Sequence, residues 1–406
     1  MPPADPIAPH CDVAVVGAGP AGVAAAITLA RAGHSVQLFD KATFPRDKTC
    51  GDGLTTLALR ELERLGFDPS TVPDWCPVGD IVLRSPAGRE IRLELPPDGQ
   101  FAATAPRHQF DAALVALARA AGAAVHEGWS FHGFTGGRSP VFVKETKQVE
   151  IDASWIVAAD GMWSPVRKAT GTSIDGYRGE WHAFRQYIGD VTGPAASELI
   201  VWFEPDLLPG YAWSFPLPEG RVNFGFGMLR ERDRSVQDMG AMWRDLLARP
   251  HIADALGAGF APEGRHAAWP IPARVDDIAL TSGRVLFVGD AAAASDVMTG
   301  EGIGQALETG RLAGEAIVAG GDVARSYEAA VRAHLFADHR MSQRLGRVLA
   351  NARGARAALR VVEHSGTWGR RNFARWMFED EPRAIAVSPR RWHRRAFRRP
   401  GPYVGG

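Results

Sequence analysis

The chain reads as an α/β protein with an added β-sheet domain and a helical C-terminus. Three observations predict this. A strand, glycine turn, helix and second strand follow one another at the N-terminus. Two later strands end in Asp-Gly and Gly-Asp. A central segment is aromatic and alternating, without a helical period.

Asp12–Val16 is apolar and β-branched, and reads as a short buried strand. Gly17-Ala-Gly-Pro20-Ala21-Gly22 follows at once, then an Ala-rich helix to Arg31, stopped by Gly33. Ser35–Phe39 is the second strand, closed by Asp40 and Lys41. Gly17 allows the tight turn, Gly19 lets backbone approach a pyrophosphate, and Gly22 lets the helix pack on the strand. The helix N-terminus then offers free N–H groups to phosphate. Asp40 falls eighteen residues after Gly22, where a carboxylate accepts from a ribose. The unit is therefore a Rossmann-like dinucleotide site.

Trp155–Asp160 reads as a strand ending in Asp160-Gly161, and Arg284–Val288 as one ending in Gly289-Asp290. A carboxylate there sits at the crevice where ligands bind in such sheets. Met298-Thr-Gly300-Glu-Gly302-Ile303 then turns into a helix to about Ala319. Asp290 suits a ribityl hydroxyl, and the N–H groups of Gly302 and Ile303 suit a flavin's pyrimidine edge. A helix N-terminus at that edge stabilises the charge of a reduced flavin. These later segments favour FAD over NAD.

Thr43-Phe-Pro-Arg46-Asp-Lys-Thr-Cys50-Gly51-Asp-Gly-Leu54 sets a lone thiol between Arg46, Lys48 and two glycines. Positive charge beside a thiol is expected to polarise it. A small residue fitting under a flavin is the alternative role for Cys50.

These motifs resemble the FAD-dependent geranylgeranyl reductase family, within the para-hydroxybenzoate-hydroxylase-like flavoproteins. The likeness runs from Cys11 to about Ile317, and more loosely to Trp392. The wording TFPRDKxCGDGL is shared with actinobacterial menaquinone side-chain reductases. Gly210-Tyr211-Ala-Trp213-Ser-Phe215-Pro216 resembles the family's YxWxFP substrate motif. The resemblance implies FAD contacts at Asp40, Cys50, Gly51, Arg107, Asp290, Gly302 and Ile303, and a substrate role for Tyr211, Trp213 and Phe215. It implies reduction of C=C bonds in a long isoprenoid, with Cys50 gating or supplying a proton. With no second nucleotide unit visible, the electron donor is expected to be NADPH or a small carrier, bound transiently. Two departures stand out. Val297 and Thr49 occupy positions where the family often has proline, so the loop at Val297 is expected to be less rigid. A flavin monooxygenase or halogenase acting on an aromatic or polyketide-like ring is the alternative reading. A non-enzymatic isoprenoid escort is the third, and the intact FAD motifs oppose it.

Trp181–Val191, Glu198–Phe203, Tyr211–Phe215 and Val222–Met228 read as strands, with Ile81–Arg84 and Glu90–Glu94 as a joining hairpin. They predict a mainly antiparallel sheet roofing the flavin. Its inner face would carry Trp202, Phe203, Tyr211, Trp213, Phe215, Phe224 or Phe226, according to register. The expected cofactor domain is 1–79, 102–172 and 274–325, with Arg107 opening a helix to Ala121. The sheet domain is 80–101 and 173–273, and the helical, basic region is 326–406.

At 406 residues there is length for two cores. Forty-six basic residues balance forty-six acidic ones, so net charge names no partner. From Arg344 onward, however, fifteen arginines face four acidic residues. Arg390–Arg399 interleaves base with aromatics; a solvated tail, contact with anionic lipid and, last, nucleic acid are the readings. Three cysteines make no disulfide framework, and the start lacks a secretory pattern. A cytoplasmic enzyme, with possible membrane association, is expected. The histidines, among them His10, His34, His108, His126 and His132, lack metal-ligand spacing, so no metal is expected.

Overall fold

The computed structural model describes residues 6–230, 236–386 and 398–404. Its first sheet has six strands in the order Thr281–Ser282, Val285–Phe287, Asp152–Ala158, His10–Val16, Val36–Asp40 and Ala124–Glu127. All pairs are parallel except the short outer one at Thr281–Ser282. Val13, Ala14, Val15 and Leu38 are fully buried: helix Pro20–Arg31 packs on the sheet, and Phe142 of the strand Ser139–Lys144 stacks on Phe39 at 3.8 Å. Helices Pro20–Arg31 and Ile303–Ala319 pack closely. A Cβ at Gly310 would collide with the Ala21 carbonyl, and one at Gly22 with the Gly17 carbonyl. Those glycines set the depth at which helices meet sheet and neighbour.

The second sheet has seven strands, ordered Ala261–Ile271, Trp181–Gly189, Arg221–Leu229, Tyr211–Leu217, Leu199–Trp202, Asp80–Arg84 and Glu90–Glu94. The expected hairpin and four strands all enter it. It is mixed rather than wholly antiparallel, because Leu199–Trp202 runs parallel to Asp80–Arg84. Those strands come from distant parts of the chain, so no tight turn had to join them. The edge strand Ala261–Ile271 and helices Val236–Ala248 and Pro250–Leu256 are additions to the sequence reading. So is a small three-stranded sheet spanning Ser130–Glu150.

Register decides the faces. Tyr211, Trp213 and Phe215 lie opposite Gly227, Gly225 and Asn223. Phe224, Phe226 and Trp202 point the other way, into a core closed by Trp243 and Leu246. The sequence left the choice open; the structure puts the YxWxFP aromatics on the cofactor side and removes Trp202, Phe224 and Phe226 from it.

Among the described residues, four α-helices follow the cofactor sheet's last helix: Val323–His334, Phe336–Leu349, Ala352–His364 and Gly366–Met377. Leu359, Val362 and Ala374 share a core with Leu83, Leu93, Trp213 and Phe215 of the second sheet. No helix among the described residues is long and apolar enough to cross a membrane. Most of the Arg390–Arg399 segment lies outside the described residues.

Candidate active site

A cleft of about 600 Å³ opens where the two sheets face one another. Gly17, Gly19, Pro20, Ala21, Asp40, Lys41, Arg46, Cys50, Gly51, Arg107, Asp160, Gly289, Asp290, Gly300, Gly302 and Ile303 all line it. So do Tyr211, Trp213 and Phe215. Gly22 does not; it sits behind, in the helix–strand contact that its missing Cβ permits.

The cleft fits a dinucleotide. The helices starting at Pro20 and Ile303 both lack a side-chain cap, so their first N–H groups are free. Nothing lies within 4 Å of where a Gly19 Cβ would sit, leaving the backbone there open to a ligand. Asp160 caps Val166 N–H at 2.9 Å through one oxygen, while its other oxygen is buried without a partner. Burial pushes its carboxyl up to about 6, against hydrogen bonds from Ser164 and Val166. Asp40 accepts from Ala18 N–H and Ala42 N–H, each at 2.7 Å, and so holds the glycine turn against the second strand.

The basic groups sit differently from the sequence expectation. Arg46 pairs with buried Asp111 at 2.7 Å, and Arg107 grips the same carboxylate with two hydrogen bonds of 2.8 Å. Lys48 lies 3.5 Å over the Trp269 ring, and burial lowers its ammonium to about 8. The cation that reaches the Cys50 sulfur is Arg107. Burial outweighs it and raises the thiol pKa, so Cys50 is a neutral thiol rather than a polarised one.

The second sheet pins the Cys50 loop. Asn223 donates to the Cys50 carbonyl and to Asp52, both at 2.8 Å, and Tyr187 donates to Asp52 at 2.7 Å. Arg185 grips Asp47 at 2.7 Å. Burial nevertheless pushes Asp52 up to about 6. Residues 185 and 187 carry no motif, and strand register brings them and Asn223 to the loop. The loop around Val297 is held without proline. Asp296 accepts from Met298 N–H at 3.1 Å and from Thr299 N–H and hydroxyl at 2.8 Å each. Trp181 donates to the Val297 carbonyl at 2.8 Å, and Tyr211 to the Thr299 carbonyl. Side chains thus supply the restraint that proline would have supplied.

A second cavity, about 930 Å³, lies between the second sheet and the C-terminal helices. Its walls include Leu83, Val201, Phe203, Leu345, Leu359, Phe373 and Met377. Tyr211, Phe215, Thr299 and Glu301 line both cavities and form their common wall. Glu301 was read in the sequence only as part of a glycine turn. Its place in the common wall depends on helices that begin only at Phe336.

Residues 10–317 match the family described as FAD binding domain. The chain belongs to the FAD-dependent geranylgeranyl reductase family. It is 33% identical over 388 residues to a menaquinone reductase of Mycolicibacterium smegmatis, covering 88% of this chain and 89% of that one. It is 32% identical over 318 residues to digeranylgeranylglycerophospholipid reductase 1 of Methanopyrus kandleri, covering 76% and 80%. In fold it is similar to a geranylgeranyl bacteriochlorophyll reductase-like protein of Thermoplasma acidophilum, with TM-score 0.79 and 21% identity over 92% of this chain and 96% of that one. The flavin-dependent brominase Bmp2, as a triple mutant, shares the fold at TM-score 0.72 and 17% identity. This reductase family member is thus an FAD-dependent oxidoreductase.

Proposed function

We propose that this enzyme reduces C=C bonds in the side chain of a long isoprenoid lipid, of the menaquinone or geranylgeranyl-lipid kind. The observation that carries this is the apolar cavity sharing Tyr211, Phe215, Thr299 and Glu301 with the cofactor cleft. An aromatic ring needs a compact pocket beside the flavin. A long apolar chain needs a second space extending away from it, and that is the shape present. The relatives named as menaquinone reductase and digeranylgeranylglycerophospholipid reductase support the same substrate class.

FAD supplies a hydride at its N5 when bound and reduced. The protein's part is position and proton supply. The uncapped N-terminus at Pro20 would take the pyrophosphate and Asp40 the ribose. The N-terminus at Ile303, with Asp290, would take the flavin end. Tyr211, Trp213 and Phe215 would hold the isoprenoid over it, Tyr211 being locked by its bond to the Thr299 carbonyl. An unactivated alkene resists hydride addition, so orientation and a placed acid must supply much of the rate. Cys50, neutral and beside the cleft, is proposed to gate that step or supply its proton. Reducing power would come from NADPH or a small carrier binding transiently.

The lipid would enter from a membrane surface. Val348, Val361 and Trp368 line the second cavity and are 52%, 72% and 77% exposed. Exposed arginines at 344, 347, 353, 356, 360 and 371 lie on the same helices. Apolar anchors among basic side chains suit an anionic leaflet.

Mass spectrometry of lipids after anaerobic incubation with dithionite-reduced enzyme tests the function. Menaquinone or geranylgeranyl lipid should gain two hydrogens, or multiples of two. No gain, with NADPH oxidation in air stimulated by an aromatic compound, would overturn the reductase reading in favour of a monooxygenase.

A further inference from the structure

We propose that Glu301 is the acid that delivers the proton to the alkene, which leaves Cys50 the gating role; this rests on the reductase reading above. Position argues first. Glu301 lines both the cofactor cleft and the apolar cavity, whereas Cys50 lines the cleft alone. An isoprenoid lying in the apolar cavity with one double bond at its cofactor end must pass the Glu301 carboxyl.

Its surroundings argue second. The neighbouring polar side chains each have partners of their own. The Tyr211 phenol donates to the Thr299 carbonyl. Arg383, buried, pairs with Asp296 at 2.5 Å and Glu379 at 3.2 Å. Glu379 also accepts from Gln305 at 2.9 Å and Thr55 at 3.3 Å. The Glu301 carboxyl has no hydrogen-bond or ion-pair partner among the described residues. Asp296, Glu379, Asp338 and Glu301 thus lie in the field of one guanidinium. Asp296 and Glu379 touch it and take its charge, and Glu301 cannot ionise beside them without cost. Burial, then Glu379 and Asp296, push Glu301 up to about 8, while Arg383 works the other way. Burial chiefly raises the Cys50 thiol and the Tyr211 phenol, and Glu301 lies near enough to add to both effects. At neutral pH it is a protonated acid beside the reacting carbons.

The step balances. One alkene carbon takes the hydride that reduced FAD supplies. The π electron pair forms a bond from the other carbon to the Glu301 proton. Two C–H bonds replace the π bond, oxidised FAD and the Glu301 carboxylate remain, and the carboxylate regains a proton before the next turnover.

The test uses the FAD-loaded enzyme and Glu301→Gln, which keeps shape and removes the proton. In single-turnover experiments the wild type should lose alkene reduction as pH rises through about 8. Glu301→Gln should reduce alkene ~100-fold more slowly, with that pH limb gone, because a placed acid contributes on this scale. Dithionite reduction of its flavin and binding of the lipid should stay as in the wild type. Glu301→Asp should recover part of the rate together with a pH limb, and Cys50→Ala should keep the limb. Infrared spectroscopy adds a readout independent of turnover: a protonated-carboxyl C=O band, lost through the same pH range and missing in Glu301→Gln. Reduction by Glu301→Gln within about threefold of wild type, or with an unchanged limb, would overturn the role. So would a carboxyl band that persists in the variant with nothing lost. A wild type yielding no reduced lipid would instead sink the reductase reading, and the donor role with it.

Discussion

Gly225 shows how one absent side chain shapes the site. A Cβ there would lie 2.6 Å from the Phe184 carbonyl oxygen and 2.7 Å from a Trp213 ring carbon. The first is backbone and the second a buried indole, so neither yields cheaply. Gly225→Ala should destabilise the protein by about 1–3 kcal/mol, the usual cost of overfilling a packed region. It should also shift Trp213 fluorescence, since the ring must tilt toward the cleft. An unchanged urea midpoint would show that the ring moves freely. At this scale the sequence was informative where chemistry needs a local turn: Gly17, Gly19 and the Gly300–Gly302 turn are legible because backbone geometry alone demands them. Glu301 and the Arg185–Tyr187–Asn223 clamp were not. Their partners are distant in sequence, and an acid between two glycines looks like any solvated turn.

The loop Ala294–Gly300 is the element on which both cavities depend. Asp296 holds its backbone and meets Arg383 from the last turn of the described C-terminal region. Asp296→Ala would remove three hydrogen bonds and leave a buried guanidinium short of a partner. A loss of about 3–5 kcal/mol is expected, as when one member of a buried pair is removed. Denaturant unfolding measures it, and a loss under about 1 kcal/mol would mean Glu379 alone suffices for Arg383. Among elements, strands such as Tyr211–Leu217 were legible through alternating aromatics and flanking turn residues, although both faces are buried. Ala261–Ile271 escaped notice because it is an edge strand, largely exposed and carrying Glu263, Arg265 and His266, so alternation is lost. The parallel pairing of Leu199–Trp202 with Asp80–Arg84 was equally hidden, since pairing partners are chosen by sheet assembly rather than by local pattern.

For the whole molecule, the basic C-terminal helices combine two properties. Their inner faces close the apolar cavity, and exposed arginines lie on the same helices. Vesicle flotation should show binding to anionic vesicles and little to neutral ones, weakened by salt because exposed charges are screened. Trp368→Ala should cut that binding severalfold. Equal binding to neutral and anionic vesicles would remove the arginines from the account.

The sequence by itself determined the cofactor half of this protein. A dinucleotide fold is specified by turns, helix starts and strand ends that act within a few residues, and such constraints leave a mark on adjacent positions. What lies opposite the cofactor was decided only in three dimensions. Sheet register turned Tyr211, Trp213 and Phe215 inward and sent Phe224 and Phe226 to the other core. Folding of the C-terminal helices onto that sheet made the apolar cavity, and brought Glu379 and Arg383 to Glu301. Burial then set the charge states: it kept Cys50 a thiol despite Arg107 and left Glu301 holding a proton. Desolvation is a property of the packed whole, and no spacing of residues along the chain encodes it.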